Sequence, residues 1–439
     1  MKLTRQTFSN IHDVLQRMEC LVGHHSALIR EVFPVAQAAP FDIFHYYNAT
    51  IGDTRRLGQE VQWSLAPSYA GSAWTREESI AAAIGEAVER YACGVYDANS
   101  LVVAAYREVA EQAIPLEHLV LFTPQQYEEG PVFPTPDTRL RWVEGYSLAQ
   151  QKLVLVPAAM VFIPYRNSPN EDPIIWEATS SGAACGGSLE EAILCALCEV
   201  IERDAIMITW LNQLPVPCIP LEEIDHPPVA YALQRLANTS YRLLLNDITT
   251  DIPLPVFLAT LINERDAPPY SVIASACGLD KCRAALKSIT EVLHGLKATQ
   301  TLLERHPDFA ADTLMRTLED HTLLYAKFDL RERLAFFTNS STVRHWSSVP
   351  HLASGQVASD IDKCVHLLKE RNYDVIVVDL TPPEIAECGL FVVRVVVPGM
   401  TPLHGKDTLC PLGVKRVRQV PIALGYGVRD LNPFPHPFP

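Results

Sequence analysis

LEEAILCALCEVIERD, residues 189–204, is the stretch around which the rest of the chain is arranged. Its apolar residues recur with the period of an amphipathic helix, yet Glu199 and Glu202 lie among mostly apolar neighbours. Two carboxylates three residues apart leave a helix on the same face, with Cβ atoms about 5–6 Å apart, where like charges repel. Because a cation between them would offset that repulsion, the stretch predicts a helix that takes part in cation binding.

A second copy of this helix pattern lies earlier in the chain. Residues 76–91, REESIAAAIGEAVERY, align with the first stretch without a gap. Glu86 and Glu89 then occupy the positions of the two glutamates, and Arg90 occupies that of Arg203. A single E-x-x-E-R motif is typical of a surface helix with ordinary ion pairs. Two full copies with apolar flanks instead favour a shared binding site.

A third and weaker copy follows later in the chain. Residues 281–296, KCRAALKSITEVLHGL, place Glu291 at the first glutamate position and His294 at the second. The copies are about a hundred residues apart and unequally spaced, whereas the repeats of a solenoid are about 20–50 residues long. The pattern therefore predicts pseudo-symmetric units that bring their acidic helix faces to one place.

Loops of small residues lead into the first two of these helices. Residues 68–75 end in Thr75, which with Glu78 forms the pattern of a capping box at a helix start. Residues 179–187, TSSGAACGG, contain Ser181 and lead into the central helix. Small side chains let a ligand approach the backbone, and a helix N-terminus favours an anion. Because each loop adjoins an acidic helix, we interpret it as part of a binding site; in another position the same residues would indicate only a turn.

Length and composition indicate a large globular protein. The 439 residues exceed the usual size of one core, so we expect two or three subdomains. A net charge of −15 argues against nucleic acid or an anionic membrane as the main partner. The N-terminus lacks an apolar signal segment, and the longest apolar run, 153–164, is too short to cross a bilayer. We therefore expect a cytoplasmic location and no membrane contact.

The cysteines predict no disulfide framework. Eleven cysteines are spread through the chain without a framework spacing, which is typical of reduced thiols in a reducing compartment. Cys195 and Cys198 form a C-x-x-C within the central helix, but no second pair stands at metal-binding spacing. We interpret both as small core residues, with a zinc or redox role as the minor alternative.

Secondary-structure patterns favour an α+β fold. Two β-rich runs within 140–163 predict a hairpin, and beyond Pro215 strands and helices cluster without strict alternation, unlike a doubly wound sheet. A further helix is predicted at 11–24, and residues 50–75 have a strand-like pattern. The later helices are predicted at 228–237, 308–319, 321–335 and 357–371, and the later strands at 242–247, 254–262, 270–277, 374–379 and 389–397.

The last residues, LNPFPHPFP at 431–439, alternate proline with other residues. Such a run holds the backbone near polyproline II, a stiff rod that loses little entropy on docking. Many tails of this kind are disordered linkers or ligands of partner proteins. A rod of this kind could also deliver a free carboxylate at Pro439 to a fixed site, and both interpretations remain open from the residues alone.

Four segments together resemble the YcaO family, and within it the SagD-type cyclodehydratases of azole-forming ribosomal peptide clusters. They are G-S-x-x-T followed by GEAVERY within 71–91, the whole of 179–205, VVRVVVPGM at 392–400 and PFPHPFP at 433–439. The resemblance implies a YcaO-like fold of pseudo-repeated helix and sheet units around a central ATP and Mg²⁺ site. It divides the chain into a loosely matched N-terminal region, 1–64, and a catalytic domain, 65–439. The catalytic domain has three subunits, at about 65–215, 216–305 and 306–439.

The resemblance also implies roles for individual residues. Hard oxygen ligands suit Mg²⁺, which binds few carboxylates directly and completes its shell with phosphate and water. The expected metal ligands are Glu86, Glu89, Glu199 and Glu202. The expected nucleotide contacts are Ser181, Glu191, Arg90, Arg203 and Glu291. The expected catalytic group is the proline tail, through Pro435, Pro437 and the carboxylate of Pro439.

The implied reaction is ATP-dependent ring closure on a peptide backbone. A Cys, Ser or Thr side chain attacks the preceding amide carbonyl, ATP phosphorylates the amide oxygen, and loss of phosphate gives a thiazoline or oxazoline. The family pattern is not complete here: Ala82 replaces a common Ser, Ser181 a frequent Asn and His294 a frequent Gln. A lysine often seen before the first acidic helix is absent. Because the carboxylates are all present, we interpret these changes as those of a subfamily variant.

The implied partners are a precursor peptide, a ubiquitin-activating-like protein that binds its leader and, in many clusters, an FMN-dependent dehydrogenase. We also expect an oligomer. Two alternatives stay open. A YcaO enzyme that forms a thioamide or amidine would use ATP in the same way with an external nucleophile. A catalytically silent scaffold would bind peptide and partner without binding Mg²⁺ and ATP.

Overall fold

The computed structural model describes residues 3–4, 7–23, 28–37, 39–52, 68–130, 132–165, 173, 175–177 and 179–439. In these ranges the helices are α1 Ile11–Met18, α2 Arg76–Gly94, α3 Tyr106–Val109, α4 Pro124–Glu129, α5 Leu189–Leu211, α6 Pro227–Leu236, α7 Lys281–Arg305, α8 Leu318–Lys327, α9 Ala335–Thr338, α10 Val357–Lys369, α11 Pro383–Glu387 and α12 Lys415–Ala423. The strands are β1 Ile29–Pro34, β2 His45–Ile51, β3 Ser68–Ala73, β4 Val102–Ala105, β5 Arg139–Ser147, β6 Lys152–Pro157, β7 Ala183–Gly186, β8 Tyr241–Asp247, β9 Val256–Asn263, β10 Ser271–Cys277, β11 Ile376–Asp379 and β12 Phe391–Val396.

Each of the three acidic helices packs on an antiparallel sheet. Helix α2 lies on the three-stranded sheet β1-β2-β3, and helix α7 lies on the three-stranded sheet β10-β9-β8. Helix α5 lies on the strands β12 and β7 at one side of a six-stranded sheet, in the order β4-β5-β11-β12-β7, with β6 paired to β5. The prediction of an α+β fold made of repeated helix and sheet units is confirmed.

The three units are joined in a cyclic way. Helix α2 contacts β7, the strand that leads into α5. Helix α5 contacts β10, which leads into α7, and α7 in turn contacts β3, which leads into α2. Each long helix therefore touches its own sheet on one face and the next unit's strand on another. This arrangement turns the acidic faces of the three helices toward a common centre.

Helix α5 is the most deeply placed element. Ile193, Ile201 and Ile208 have no exposed surface, and Trp210 is 1% exposed, because sheet strands, α10 and α12 surround the helix. Burying one such aliphatic side chain stabilises the fold by about 1.5–3 kcal/mol. The carboxylates of α5 are held in place by this apolar packing on the other faces of the helix.

Most of the predicted elements are present, with one clear error. The hairpin is β5 and β6, paired in antiparallel register, and the later strands and helix 357–371 correspond to observed elements. The predicted helix at 308–319 is wrong, because α8 begins only at Leu318, where Thr317 caps it in a capping box with Asp320. The helix predicted at 321–335 is the remainder of α8 and two short turns. Part of the strand-like stretch 50–75, and the predicted boundary after residue 64, lie outside the described residues.

The cysteine prediction needs correction at two places. Cys20, just after α1, and Cys388, just before β12, form a disulfide across a sequence separation of 368 residues. Such a separation leaves no spacing pattern in the sequence, so the pair was not recognisable. Cys195 is exposed rather than part of the core, whereas Cys198 is half-buried. None of the helices in the described ranges combines the length and apolarity that a membrane crossing requires.

Close packing of β3 on α2 predicts the effect of two glycine substitutions. A Cβ at Gly71 would lie 2.2 Å from the Ser79 carbonyl oxygen and 2.3 Å from the Ala83 amide nitrogen, whereas a Cβ at Gly85 meets nothing within 4 Å. Gly71→Ala should lower the free energy of unfolding by about 1–3 kcal/mol or more, because two backbone segments must separate. Gly85→Ala should raise it by about 0.5–1 kcal/mol through helix propensity.

Urea unfolding of both variants beside the wild type is the measurement. Gly85→Ala is the matched control, since it makes the same chemical change within the same unit. Equal stability of Gly71→Ala and the wild type would show that β3 does not press on α2 as described.

Candidate functional site

The first acidic pair projects from the middle of helix α2. Arg90 pairs with both carboxylates: its Nη2 is 3.4 Å from Glu86 Oε1 and its Nη1 is 3.1 Å from Glu89 Oε1. Burial raises the pKa of Glu89 to about 8, against the opposing effect of Arg90, and the negative charge of Glu199 adds to the increase. Helix α2 therefore offers two carboxylates and one guanidinium to the centre, and with a pKa of about 8 Glu89 is mostly protonated at neutral pH unless a cation lies beside it.

The second acidic pair, on helix α5, is arranged in the same way. Arg203 Nη2 lies 3.3 Å from Glu199 Oε1, and Nη1 lies 3.6 Å from Glu202 Oε1. Glu202 is 3% exposed and accepts hydrogen bonds from the Ser275 hydroxyl at 2.6 Å and the Cys277 backbone N–H at 3.2 Å. Burial raises the pKa of Glu202, partly offset by Arg203. Strand β10 thus fixes one carboxylate of α5 at the contact between two units.

Carboxylates of separate helices influence one another across the centre. Burial is the main cause that raises the pKa of Glu291 on α7 to about 7, Lys287 opposes it, and Glu202 and Glu199 raise it further. Lys287 Nζ lies 3.6 Å from Glu291 Oε1. Because Glu199 acts on both Glu89 and Glu291, the three helices bring their acidic faces together. The convergence that the repeated pattern predicted is present.

The third unit has an aromatic stack where each of the other two units has its second carboxylate. His294 stands at the second glutamate position of the pattern, and its ring stacks on that of Tyr46 with centroids 4.7 Å apart. Burial lowers the pKa of His294 to about 4, so the ring is neutral at physiological pH. Helix α7 therefore contributes Glu291 to the centre, and an aromatic stack replaces the second carboxylate.

The small-residue loop before α5 supports the second acidic pair. The Gly182 N–H donates to Glu199 Oε2 at 3.1 Å. Gly182 has φ +84°, and a Cβ there would lie 2.5 Å from the Val395 carbonyl oxygen, so the position requires glycine. Next to it, Ser181 accepts a hydrogen bond from the Thr179 hydroxyl at 3.3 Å. The loop thus presents two small hydroxyl side chains beside the carboxylates.

A small cleft of about 50 Å³ opens beside this loop. Thr179, Ser181, Arg203 and Arg394 form its polar side. The apolar side is formed mainly by His118, Leu121, Met160, Trp176, Val200 and the segment 395–402. Arg394 is a site residue that the sequence analysis missed, although the signal was present: it is the one charge in the β-branched run VVRVVVPGM. The cleft gives the acidic centre an opening lined by hydroxyl and guanidinium groups.

Glu191 lies away from the acidic centre, near the start of α5. It accepts a hydrogen bond from the Ser9 backbone N–H. The neighbouring Glu190 accepts from the backbone N–H and the hydroxyl of Thr4, both at 2.7 Å. Eight residues separate Glu191 from Glu199, about 12 Å along the helix axis. The hydrogen bonds of Glu191 thus run to the N-terminal segment, and its contact with nucleotide stays a prediction.

The proline tail is docked against the body of the protein. Trp210 Nε1 donates to the Phe434 carbonyl oxygen at 3.1 Å, and the Tyr325 hydroxyl donates to the Pro435 carbonyl oxygen at 2.6 Å. Phe438 is 2% exposed and belongs to the core around α5. The tail is therefore held by specific hydrogen bonds and by apolar burial, as a folded part of this chain.

Three histidines fix the last turn of the tail. The rings of His436 and His321 stack with centroids 3.8 Å apart, and His436 Nε2 lies 2.7 Å from the His404 carbonyl oxygen. Burial lowers the pKa of all three histidines, that of His404 to about 3. The charges of the other two histidines and, to a smaller extent, of Arg203 add to the lowered pKa of His436. Pro439 is exposed, and its catalytic role stays a prediction.

The site fits a metal ion that arrives with a phosphate ligand. In the described part of the chain, no three acidic, histidine or cysteine side chains form a ready-made metal cage. The glutamates are instead paired with Arg90 and Arg203, and Arg203 Nε is buried without a hydrogen-bond partner. Hard carboxylate oxygens beside unpaired guanidinium N–H groups suit Mg²⁺ and a polyphosphate together, since this ion completes its shell with phosphate and water.

Comparisons with known proteins agree with this geometry. A curated relative, an uncharacterized protein in the tfuA 3′ region of Rhizobium leguminosarum bv. trifolii, is 26% identical over 350 residues, 76% of both chains. A heterocyclase in complex with substrate and cofactor superimposes with a TM-score of 0.82 at 24% identity. The alignment covers all of this chain and 59% of the heterocyclase, so this chain spans well under two thirds of that protein.

A second solved structure, YcaO from Methanopyrus kandleri bound with AMPPCP and Mg²⁺, has a TM-score of 0.62 at 19% identity and covers 92% of this chain and 94% of its own. The sequence model of the YcaO cyclodehydratases, a family described as binding ATP and Mg²⁺, matches residues 70–401. The match includes all three acidic helices, and the prediction of an ATP-dependent enzyme of this family is confirmed. Since the match extends over well more than half of its length, the chain belongs to the YcaO family of cyclodehydratases.

Proposed function

We propose that this chain is the ATP-dependent component of a peptide cyclodehydratase of the SagD type. It would phosphorylate a backbone amide oxygen of a ribosomal precursor peptide and so form thiazolines or oxazolines from Cys, Ser or Thr. The observation that carries the proposal is the convergence of carboxylates from separate helices, each pair held by an arginine, beside an open cleft. Family membership supplies the class of reaction.

The chain's own residues have separate tasks in this reaction. The four glutamates of α2 and α5 would hold Mg²⁺ and place the phosphates, and Arg90 and Arg203 would neutralise phosphate charge. ATP supplies the phosphoryl group that converts the amide oxygen into a leaving group. The apolar wall of the cleft keeps water from the activated carbonyl, which favours attack by the peptide's own side chain over hydrolysis.

The docked tail would position the peptide. Its carbonyl groups are fixed by Trp210 and Tyr325, and His436 lies near enough to Arg203 for the two to interact electrostatically. A rigid tail that lies beside the phosphate-binding side chains can orient a peptide at low entropic cost. A thioamide-forming or amidine-forming enzyme would need a route for an external nucleophile, and the docked tail supports the cyclodehydratase reading instead.

The proposed partners are a precursor peptide and a separate leader-binding protein related to ubiquitin-activating enzymes, with an FMN-dependent dehydrogenase where azoles are made. The heterocyclase that superimposes on this chain was solved with a substrate, and this chain spans 59% of it. The active species would then be an oligomeric complex in the cytoplasm.

Neutralising the acidic pair of α5 tests the proposed metal and nucleotide site. Glu199→Gln or Glu202→Gln should reduce peptide-dependent phosphate release by about 100-fold or more, because each removes a charged oxygen ligand and leaves the side-chain volume unchanged. Phosphate release is measured in the presence of the precursor peptide and the partner protein. Glu190→Gln is the matched control on the same helix, since Gln keeps the acceptor for Thr4. Unaltered turnover in the first two variants would remove these residues from the site.

Removing the tail tests its role separately from nucleotide binding. Deletion of 435–439 removes Phe438 from the core and should lower the thermal midpoint, yet leave the affinity for Mg²⁺ and ATP within about twofold of wild type. Mass spectrometry should show no loss of water from the peptide, because the element that orients the peptide is gone. Pro433→Ala is the control, as this proline is exposed and precedes the docked turn. Cyclisation at the normal rate by the truncated protein would reduce the tail to a docking ligand.

The buried histidines predict how stability depends on pH. The pKa of His404 is lowered to about 3 in the fold, against about 6.5 in an unfolded chain. The unfolded state then binds more protons below pH 6.5, so the stability present above that pH is lost as the pH falls toward 3, at about 1.4 kcal/mol per pH unit for each such group. Urea unfolding at pH 7.5, 6 and 5 measures the slope.

His404→Phe keeps an aromatic ring against His436 and removes one titrating group, so its stability should fall less steeply below pH 6.5 than that of the wild type. Other acid-sensitive groups contribute to both proteins alike, and the difference between the two slopes isolates His404. Identical slopes would show that this ring does not titrate differently in the folded and unfolded states.

A further inference from the structure

Arg394 is the strongest unmet hydrogen-bond donor of the site. It lies on strand β12 with 3% of its surface exposed, lines the cleft, and is close enough to Glu199 and Glu89 for their charges to act on it. Its Nη2 donates to the Thr179 carbonyl oxygen at 2.7 Å. Its Nε and Nη1 are buried and have no hydrogen-bond partner. A buried guanidinium with two unused nitrogens is rare in a native fold, because unpaired buried donors are costly, and it indicates a missing ligand.

The carboxylates nearby do not supply that ligand. Arg394 feels the negative charges of Glu199 and Glu89, yet no carboxylate of the described residues forms an ion pair with it. Those two glutamates are already paired with Arg203 and Arg90. The Nε and Nη1 edge of the Arg394 fork is therefore left for something that enters from outside.

A second guanidinium group with an unpartnered nitrogen lines the same cleft. Arg203 reaches it from α5, and its Nε is also buried without a partner. Ser181 and Thr179 add small hydroxyl groups to the polar side, whereas the opposite side is apolar. The Nε and Nη1 edge of Arg394, the Nε–H of Arg203 and the hydroxyl groups match an anion with several oxygens, and the fixed fork of arginine is suited to two oxygens of one phosphoryl group.

We propose that Arg394 and Arg203 form a phosphoryl-oxyanion subsite on the cleft side of the acidic centre, which holds the phosphoryl group while it passes to the peptide and leaves. The reaction assigned to the group rests on the proposed function, whereas the binding of an oxyanion does not. The subsite adds Arg394 to the nucleotide site. Apart from its hydrogen bond to the Thr179 carbonyl oxygen, Arg394 has no other role in the site as described above.

The transfer step at this subsite balances as follows. The bond between the γ-phosphorus and the ADP oxygen breaks with its electron pair on ADP, and the hydroxyl oxygen of the cyclised amide forms the new bond to phosphorus as its proton goes to solvent. The carbon–oxygen bond then breaks with its electron pair on the phosphate, and the ring nitrogen loses its proton to form the C=N bond. Arg394 and Arg203 stabilise the phosphoryl oxygens throughout.

Equilibrium binding of inorganic phosphate tests the subsite without turnover. The intact protein is titrated with phosphate alone, with phosphate in the presence of Mg²⁺ and ADP, and with Mg²⁺ and AMPPCP. Arg394→Gln should weaken phosphate binding at least tenfold and leave the affinity for Mg²⁺ and ADP within about twofold. Arg394→Lys keeps the charge without the fork and should recover part of the loss. Arg331→Gln is the control, since that guanidinium is already paired with Asp329.

Each result decides between outcomes. Loss of phosphate binding with ADP binding kept supports the subsite. The same support comes if AMPPCP alone loses affinity, and the oxyanion is then the γ-phosphate of the intact nucleotide. Equal losses of ADP and phosphate, or a lower thermal midpoint of ligand-free Arg394→Gln, would assign Arg394 a structural role and overturn it. If Arg394→Gln binds ADP, phosphate and AMPPCP as tightly as the wild type does, the subsite is overturned and the proposed function stands. If the wild type binds phosphate through Arg394 but binds no nucleotide, the subsite stands and the proposed function is overturned.

Discussion

Repulsion between carboxylates of separate helices, balanced by Arg90 on α2, Arg203 on α5 and Lys287 on α7, is the constraint on which this structure depends. Glu89 and Glu199 belong to different helices, yet the negative charge of Glu199 adds to the raised pKa of Glu89. Such an arrangement persists only if the helices are held from behind by something stronger. The sheets under α2, α5 and α7 supply that support through apolar packing on the faces opposite the charges. Burial of hydrocarbon thus stabilises a polar centre that is unfavourable by itself.

The sequence predicted this centre because repetition carries long-range information. Two gapless copies of E-x-x-E-R indicate that two helices do the same thing, and a common ligand is the simplest reason for it. The helices themselves follow from local periodicity and from caps such as Thr75, whose hydroxyl accepts from the Glu78 N–H. The fold class and the meeting of the acidic faces could therefore be predicted, along with the class of ligand.

Features that depend on distant partners could not be predicted. The order of strands in the six-stranded sheet joins β5 to β11 and β7 to β12, and the two strands of each pair are more than two hundred residues apart, so nothing local encodes that pairing. Arg394 looked like one charge in an apolar strand until the fold placed it beside the cleft. Glu191 lies on the same helix as Glu199 and Glu202. It is too far along the helix axis to join them, and it accepts a hydrogen bond from Ser9 instead. The docking of the tail likewise needs His321, whose ring offers no sequence signal for stacking on His436.

The broken symmetry of the centre gives it a direction. With a carboxylate pair on all three helices, the potential would be alike on every side and would hold an ion without orienting it. His294 and Tyr46 instead close the α7 side with a neutral stack. Negative charge is then concentrated between α2 and α5, and Arg394 lies at the cleft side of it. Under the proposed function, this asymmetry would orient a nucleotide whose Mg²⁺ bridges the terminal phosphates, with the reacting phosphoryl group on the side of Arg394 and the cleft.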